Sequence, residues 1–208
     1  MFSINNGDTL SFNVRKTSKN SLDFYPTPPW AVDALLEYEN FDGLVLEPAC
    51  GTGNISNALI AHGFDVISSD INDYGYGEPD KDFFSLTSRI DNIITNPPYN
   101  IADKFVEHSL KLANRKIALL LRLAFLEGAN RYNSIYAKNP PSTVLVFTKR
   151  LTFNPELIKG NSGSGHVTYA WFIWDKEKKE AAPVIKWISP DIINQYRDGK
   201  KRGRKKRA

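Results

Sequence analysis

This sequence of 208 residues predicts an α/β fold: a doubly wound, mostly parallel sheet with an antiparallel strand at its edge. Three observations carry that expectation. A leucine and valine run at 44–47 meets a turn with two glycines, then the amphipathic pattern of Ile55, Ala58, Leu59 and Ala61. This is the strand-turn-helix unit that opens nucleotide-binding sheets. Residues 116–121 read as a strand almost wholly apolar, as burial on both faces demands. Finally, Ile93-Ile94 is followed closely by Asn96-Pro97-Pro98-Tyr99. Two prolines can continue neither a helix nor a ladder, so the chain leaves the sheet at the carboxyl end of a strand. Open α/β sheets place their ligands there.

The length suits one domain with a sizeable core. Hydrophobic content of 41% and charge of 24% are ordinary for a globular chain. No apolar run approaches the roughly 18 residues of a membrane span. Ser3, Asn5, Asn6 and Asp8 interrupt any leader-like segment. A single cysteine, Cys50, excludes an internal disulfide, and His62, His108 and His166 are too scattered for a metal cluster. The reading is a cytoplasmic protein without metal or membrane, monomeric, with a dimer left open. Its net charge of +4 is uneven: residues 197–207 hold eight of the 27 Lys/Arg and one of the 23 acids, so that tail carries +7 and the remainder −3. Such a tail points to a polyanionic partner. The organisation is an N-terminal arm at 1–22, one domain at 23–197 and a basic tail at 198–208.

Along the chain, Thr27 can cap a helix with prolines in its first turn, whose apolar face is Trp30, Ala31, Ala34, Leu35 and Leu36. At Gly51 and Gly53 the missing side chains let the backbone approach a ligand, and the following helix presents free N–H groups. Residues 64–70 give the next strand, ending on Asp70, where such sheets engage ribose hydroxyls. The loop at 74–80, rich in Gly and Tyr, has no evident purpose. Cys50 and Phe84 read as packing residues. Residues 101–113 form a helix with Phe105, Val106, Leu110 and Ala113 on its apolar face. Arg122, Arg131, Tyr132 and Tyr136 lie in or beside 124–141 and could face substrate. Runs at 143–147 and 168–174 read as an antiparallel pair at the sheet edge, and 183–197 as a last strand or helix. At the prolines, Asn96 offers a side-chain carbonyl, Pro97 a main-chain carbonyl and Tyr99 a flat ring. Two acceptors and a stacking face suit an exocyclic amino group on a planar base.

Asn96-Pro97-Pro98-Tyr99 resembles the catalytic motif of S-adenosylmethionine-dependent amino methyltransferases, chiefly those that modify the exocyclic nitrogen of adenine. RNA-adenine and protein-glutamine methyltransferases share the tetrapeptide. Glu47-Pro48-Ala49-Cys50-Gly51-Thr52-Gly53 is similar to the family's cofactor loop. The order over residues 23–175, from cofactor entrance through glycine loop, acid and Asp-Phe step to catalytic motif, resembles the family's gamma arrangement. The resemblance implies a Rossmann-like class I methyltransferase sheet, with S-adenosylmethionine as cofactor and S-adenosylhomocysteine as product. It implies that Tyr25, Thr27 and Pro28 hold the methionine end and Glu47 the amino group, with Pro48, Ala49, Gly51 and Gly53 shaping the loop. Asp70 then takes the ribose, Asp82 and Phe83 the adenine, and Phe105 covers that ring. Asn96, Pro97, Pro98 and Tyr99 are the implied catalytic residues.

The acceptor implied is duplex DNA with its target adenine swung out. The base would stack on Tyr99, with Phe153 as the second ring. Arg150 and His166 belong to a basic, glycine-rich loop over the site, and Lys200, Lys201, Arg202 and Arg204 to the tail. The tail's Arg-Gly-Arg is similar to a minor-groove hook, with plain backbone attraction an equal reading. No segment is left for a large recognition domain, so site recognition is expected to be short or relaxed. In this the chain resembles compact phage and mobile-element methyltransferases that mark DNA against restriction. An RNA-adenine methyltransferase is the alternative, because it would share every motif. A protein-glutamine methyltransferase usually carries a helical domain before the glycine loop, which the preceding 45 or so residues do not supply. A non-catalytic DNA-binding module would not need Glu47, Gly51, Gly53, Asp70 and Asn96 together.

Overall fold

The computed structural model describes residues 25–151, 153, 167–178 and 182–197. The expected arm, the basic tail and the site candidates His166, Lys200, Lys201, Arg202 and Arg204 lie outside them. Strands β1 (Val45–Glu47), β2 (Val66–Ser68), β3 (Ile90–Thr95), β4 (Ala113–Arg122), β5 (Thr143–Phe147), β6 (Tyr169–Asp175) and β7 (Val184–Ile188) form one sheet in the order β2-β1-β3-β4-β6-β5-β7. The helices are α1 (Pro29–Tyr38), α2 (Asn54–Ala61), α3 (Ala102–Leu112), the short α4 (Ala129–Arg131) and α5 (Pro190–Arg197).

β2, β1, β3 and β4 pair in parallel, and β6 runs antiparallel to both β4 and β5. The α/β class is as expected, but the antiparallel strand sits inside the sheet rather than at its edge. β5 is buried along its whole length, which requires a strand beyond it. β7 supplies that strand, parallel to β5. The segment expected as strand or helix is therefore both, β7 followed by α5.

Successive strand residues point to opposite faces. Ile94, Ala118, Leu120, Trp171 and Ile173 pack with Leu35 of α1 and Leu59 of α2. Their chain neighbours Ile93, Leu119, Phe172 and Trp174 pack with Phe105 and Val106 of α3. Covering both faces is why these strands read as unbroken apolar runs rather than alternating ones.

Two side chains fix α1 against the sheet. The Trp171 indole Nε1 donates to the Ala31 carbonyl at 2.8 Å in the interior. The Tyr38 hydroxyl donates to the Trp187 carbonyl and accepts from the Ser189 N–H, each at 3.1 Å. The cap of α1 is Pro28 and no side chain bonds to the helix end, so Thr27 is not the cap the sequence suggested. Its hydroxyl is engaged elsewhere.

β1 lies between β2 and β3, so the chain winds outward on one side and returns on the other. The crevice outside the carboxyl ends of β1 and β3 is the switch point at which doubly wound sheets bind ligands. Trp171→Phe should destabilise the fold by about 2–4 kcal/mol, from a lost buried hydrogen bond plus a cavity. Urea denaturation measures it, and an unchanged midpoint would show that α1 is not anchored there.

Candidate active site

The floor of the site begins where β1 ends. Glu47 is 1% exposed, and the chain then turns through 48–53 into α2. Gly53 precedes α2 in the left-handed conformation, φ 78°, and brings no side chain to the helix's free N–H groups. Glu47 supplies the acceptor from across the turn. Its Oε2 accepts the Ser56 N–H at 2.8 Å and the Ser56 hydroxyl as well. Ser56 Oγ in turn lies 2.6 Å from Ser68 Oγ on β2. Burial pushes the Glu47 carboxyl up to about 8, outweighing the Ser56 hydrogen bonds that act in the other direction. Asp70, just past β2, clamps the same turn: Oδ2 accepts the Gly51 N–H at 2.9 Å and Oδ1 the Asn72 N–H at 3.0 Å.

A side chain at Gly53 would collide with the protein itself. A Cβ there would stand 2.5 Å from the ring of Tyr76. The 74–80 loop, without purpose in the sequence, is a brace over the glycine turn. The Asp70 N–H donates to the Glu78 carbonyl at 3.0 Å, the Glu78 N–H to Ser68 at 2.9 Å, and the Tyr76 hydroxyl to Asn57 Oδ1 at 3.2 Å. Cys50 lies beneath, 5% exposed. Burial first, then the carboxyls of Glu47 and Asp70, push its thiol up to about 12, which suits packing and not nucleophilic attack.

A cavity of about 600 Å³ opens at the switch point. Its wall includes Tyr25, Thr27, Glu47, Pro48, Ala49 and Gly51, then Asp70, Asp82, Phe83 and Phe105, and finally Asn96 and Pro98. Pro28 and Gly53 stand behind it as the caps of α1 and α2, and Pro97 and Tyr99 do not line it. Sequence reasoning missed Asn72, Tyr74, Lys81 and Ile101, which carry no pattern of their own. It also misread Phe84, which is 38% exposed and lines the cavity instead of filling the core. Phe83 takes the core position, stacked on Phe105 with ring centroids 4.8 Å apart. Asp82 Oδ1 accepts the Phe84 N–H at 2.9 Å and starts a one-turn helix, Phe83–Ser85, in which Phe83 is buried and Phe84, tilted against it at 5.7 Å, stays half exposed.

Asn96 leaves β3 beside this cavity. Its Nδ2 donates to the Tyr25 carbonyl at 3.1 Å and to Thr27 Oγ1 at 3.0 Å. Its Oδ1 is buried and has no hydrogen-bond partner among the described residues. The ring stacked on Tyr99 is that of Tyr25, at 5.7 Å and 28°. Phe153 meets Tyr25 at 5.4 Å and the edge of Tyr169 at 5.0 Å. The Arg122 guanidinium stands 4.9 Å from the centre of the Tyr99 ring, in contact range for a cation–π interaction. Burial, then the neighbouring Tyr169, push the Tyr99 hydroxyl upward, outweighing the Asn96 side-chain amide beside it, which acts in the other direction. Arg150 is exposed. Arg131 is committed to Asp103 and to the carbonyls of Phe125 and Glu127.

Among the described residues no group of His, Cys, Asp or Glu is arranged to hold a metal, and no helix is long and apolar enough to cross a membrane. No family model and no curated protein matches the chain. Solved structures resemble it in fold. One is described as the modification subunit of a type I restriction enzyme from Vibrio vulnificus YJ016: 14% identity, 80% of this chain and 47% of that one, TM-score 0.55. This chain thus spans about half the length of that subunit. A second is described as a class I S-adenosylmethionine-dependent methyltransferase from Listeria monocytogenes: 14% identity, 87% and 73% covered, TM-score 0.57. A third, described as an O-methyltransferase from Agrobacterium tumefaciens, is 9% identical over 85% of this chain and 98% of its own, TM-score 0.55. The chain has the class I methyltransferase fold.

Glu47 makes stability depend on pH. From its ordinary 4.5 up to about 8, the folded chain keeps a proton that the unfolded chain has released. Raising the pH through that window therefore destabilises the fold, and above it the effect is constant. Urea midpoints at several pH values should fall across the window in the unmodified protein and fall less in Glu47→Gln. Identical profiles would show that Glu47 is ionised throughout.

Proposed function

We propose that this chain transfers a methyl group from S-adenosylmethionine to the exocyclic amino nitrogen of a flipped-out adenine in DNA. One observation carries the reading: Asn96 Oδ1 is buried beside the cavity without a hydrogen-bond partner among the described residues, while both hydrogens of its amide nitrogen are engaged. A buried acceptor without a donor costs free energy, and an amino group in the site removes that cost.

The cavity fits the cofactor. Its volume is within the roughly 300–1,000 Å³ of small-molecule sites. Glu47 at the floor suits an ammonium group, whose approach would draw off the proton that burial retains. Asp70 suits a ribose. Asp82, with Phe83 and Phe105, offers an acceptor edge and ring faces for a purine. When bound, the cofactor supplies an activated sulfonium methyl group.

The remaining work belongs to this chain's residues. Adenine's amino nitrogen is a poor nucleophile because its lone pair is delocalised into the ring. Asn96 Oδ1 and the Pro97 carbonyl each accept one amino hydrogen, which favours a more tetrahedral nitrogen with its lone pair free. Tyr99 presents the stacking face, and Pro97-Pro98 makes the turn rigid. Holding the nitrogen within attack distance contributes much of the rate. The amine keeps its protons until it has gained the methyl group and then releases one, so no strong base is needed. Fold likeness to a restriction enzyme's modification subunit, and the basic tail, support DNA as the acceptor.

Labelled S-adenosylmethionine offered with duplex DNA, single-stranded DNA and RNA should yield methyladenine from DNA. Asn96→Ala should slow that transfer roughly 100-fold or more. Label in RNA alone would establish the RNA-adenine alternative, and no transfer to any nucleic acid would overturn the reading. With short or relaxed recognition, methylated DNA should also resist several methylation-sensitive nucleases of different specificity. Resistance at one site only would show strict recognition.

A further inference from the structure

We infer that Thr27 and the main-chain carbonyl of Tyr25 are positioning groups for Asn96: they fix its amide so that the oxygen, and not the nitrogen, is left to accept from the substrate. The inference rests on the reading of Asn96 as the acceptor for the substrate amine.

An asparagine amide can be turned over with little change in shape, exchanging an acceptor for two donors. For this reaction the exchange is fatal. Amide N–H groups aimed at the substrate would meet its amino hydrogens, and the lone pair would gain nothing. The protein must therefore select one orientation. The Tyr25 carbonyl can only accept, so the group 3.1 Å from it has to be Nδ2. Thr27 Oγ1, at 3.0 Å, accepts the second hydrogen. Turning the amide over would set oxygen against the Tyr25 carbonyl and forfeit that bond.

The platform holding these two acceptors is rigid. Thr27 is 3% exposed and Pro28 follows it at the start of α1. Three residues further on, within α1, the Ala31 carbonyl accepts from the buried Trp171 indole at 2.8 Å. The segment before α1 is thus tied to the central sheet, and through Asn96 to the end of β3. Nothing in the local sequence hints at this, since 69 residues separate Thr27 from Asn96.

Thr27→Val removes the acceptor and keeps the shape; Thr27→Ser keeps the acceptor. Three readouts separate positioning from other roles: kcat, S-adenosylhomocysteine affinity by calorimetry, and the Asn96 side-chain amide resonances, assigned by their loss in Asn96→Ala. In Thr27→Val kcat should fall on the order of tenfold, as one hydrogen bond implies. Affinity for S-adenosylhomocysteine should hold, and one Asn96 amide proton should move upfield and exchange faster. Thr27→Ser should restore both kcat and the resonance. Weaker S-adenosylhomocysteine binding with kcat retained would assign Thr27 to the cofactor alone and overturn the inference. So would unmoved amide resonances in Thr27→Val. If no nucleic acid accepts a methyl group, the proposed function fails by itself, and the resonances still decide whether Thr27 orients Asn96.

Discussion

The parallel pairing of β1 with β3 is the constraint on which the site depends. Val45 stands opposite Asn92 and Leu46 opposite Ile93. Glu47 and Asn96 therefore emerge from neighbouring strand ends, one at the floor of the cavity and the other beside it. β1 is only three residues long, so its register rests on burial more than on its own hydrogen bonds. Val45 joins the core on the α1–α2 face and Leu46 the core on the α3 face. A slip of one residue would exchange the faces and turn Glu47 away from α2. The sheet's two-sided burial thus sets the chemistry at its edge.

Around that constraint the acids serve as structure as well as as candidate ligands. Glu47 completes a helix that Gly53 cannot cap, and Asp70 holds the backbone of the same turn through Gly51. Neither bond exhausts its carboxyl, because each oxygen has further lone pairs. A single pair of residues can accordingly shape the glycine turn and still meet a ligand. For Glu47 burial outweighs the Ser56 hydrogen bonds, so the group is held largely protonated near neutral pH, and binding a cation there is coupled to proton release.

What was legible in the sequence follows the physics of each element. β5, β6 and residues 117–121 of β4 could be read because they are buried on both faces and almost wholly apolar. β7 could not be told from a helix: Val184, Ile185 and Trp187 are all exposed at the sheet's rim, so no alternation marks it. Glu47 and Asn96 were legible as parts of local motifs. The partners that make them work were not. Ser56 follows Glu47 by nine residues with no signal, Tyr76 meets Gly53 across a loop, and Tyr25 reaches Asn96 over 71 positions. Thr27 went wrong for a related reason: its short polar side chain suits a helix cap, and only the folded arrangement brings the Asn96 amide to its hydroxyl.

The same long-range geometry constrains how a base would enter. Two rings that sandwich a planar base need centroids about 7 Å apart, twice a contact distance of roughly 3.5 Å. Tyr25 and Tyr99, tilted by 28°, have centroids only 5.7 Å apart, so a base between them must displace one of the rings. Tyr99 is held by the prolines before it and is close to Tyr169 and Arg122. Tyr25 is 40% exposed and sits ahead of the first helix, so the displacement falls on Tyr25. Its carbonyl is one of the two acceptors that orient Asn96. Thr27, 3% exposed and next to α1, is the acceptor that stays in place while Tyr25 shifts. On the proposed reading, Thr27 keeps the amide anchored when the base arrives, while its orientation is chosen by the Tyr25 carbonyl, because a hydroxyl can donate as well as accept.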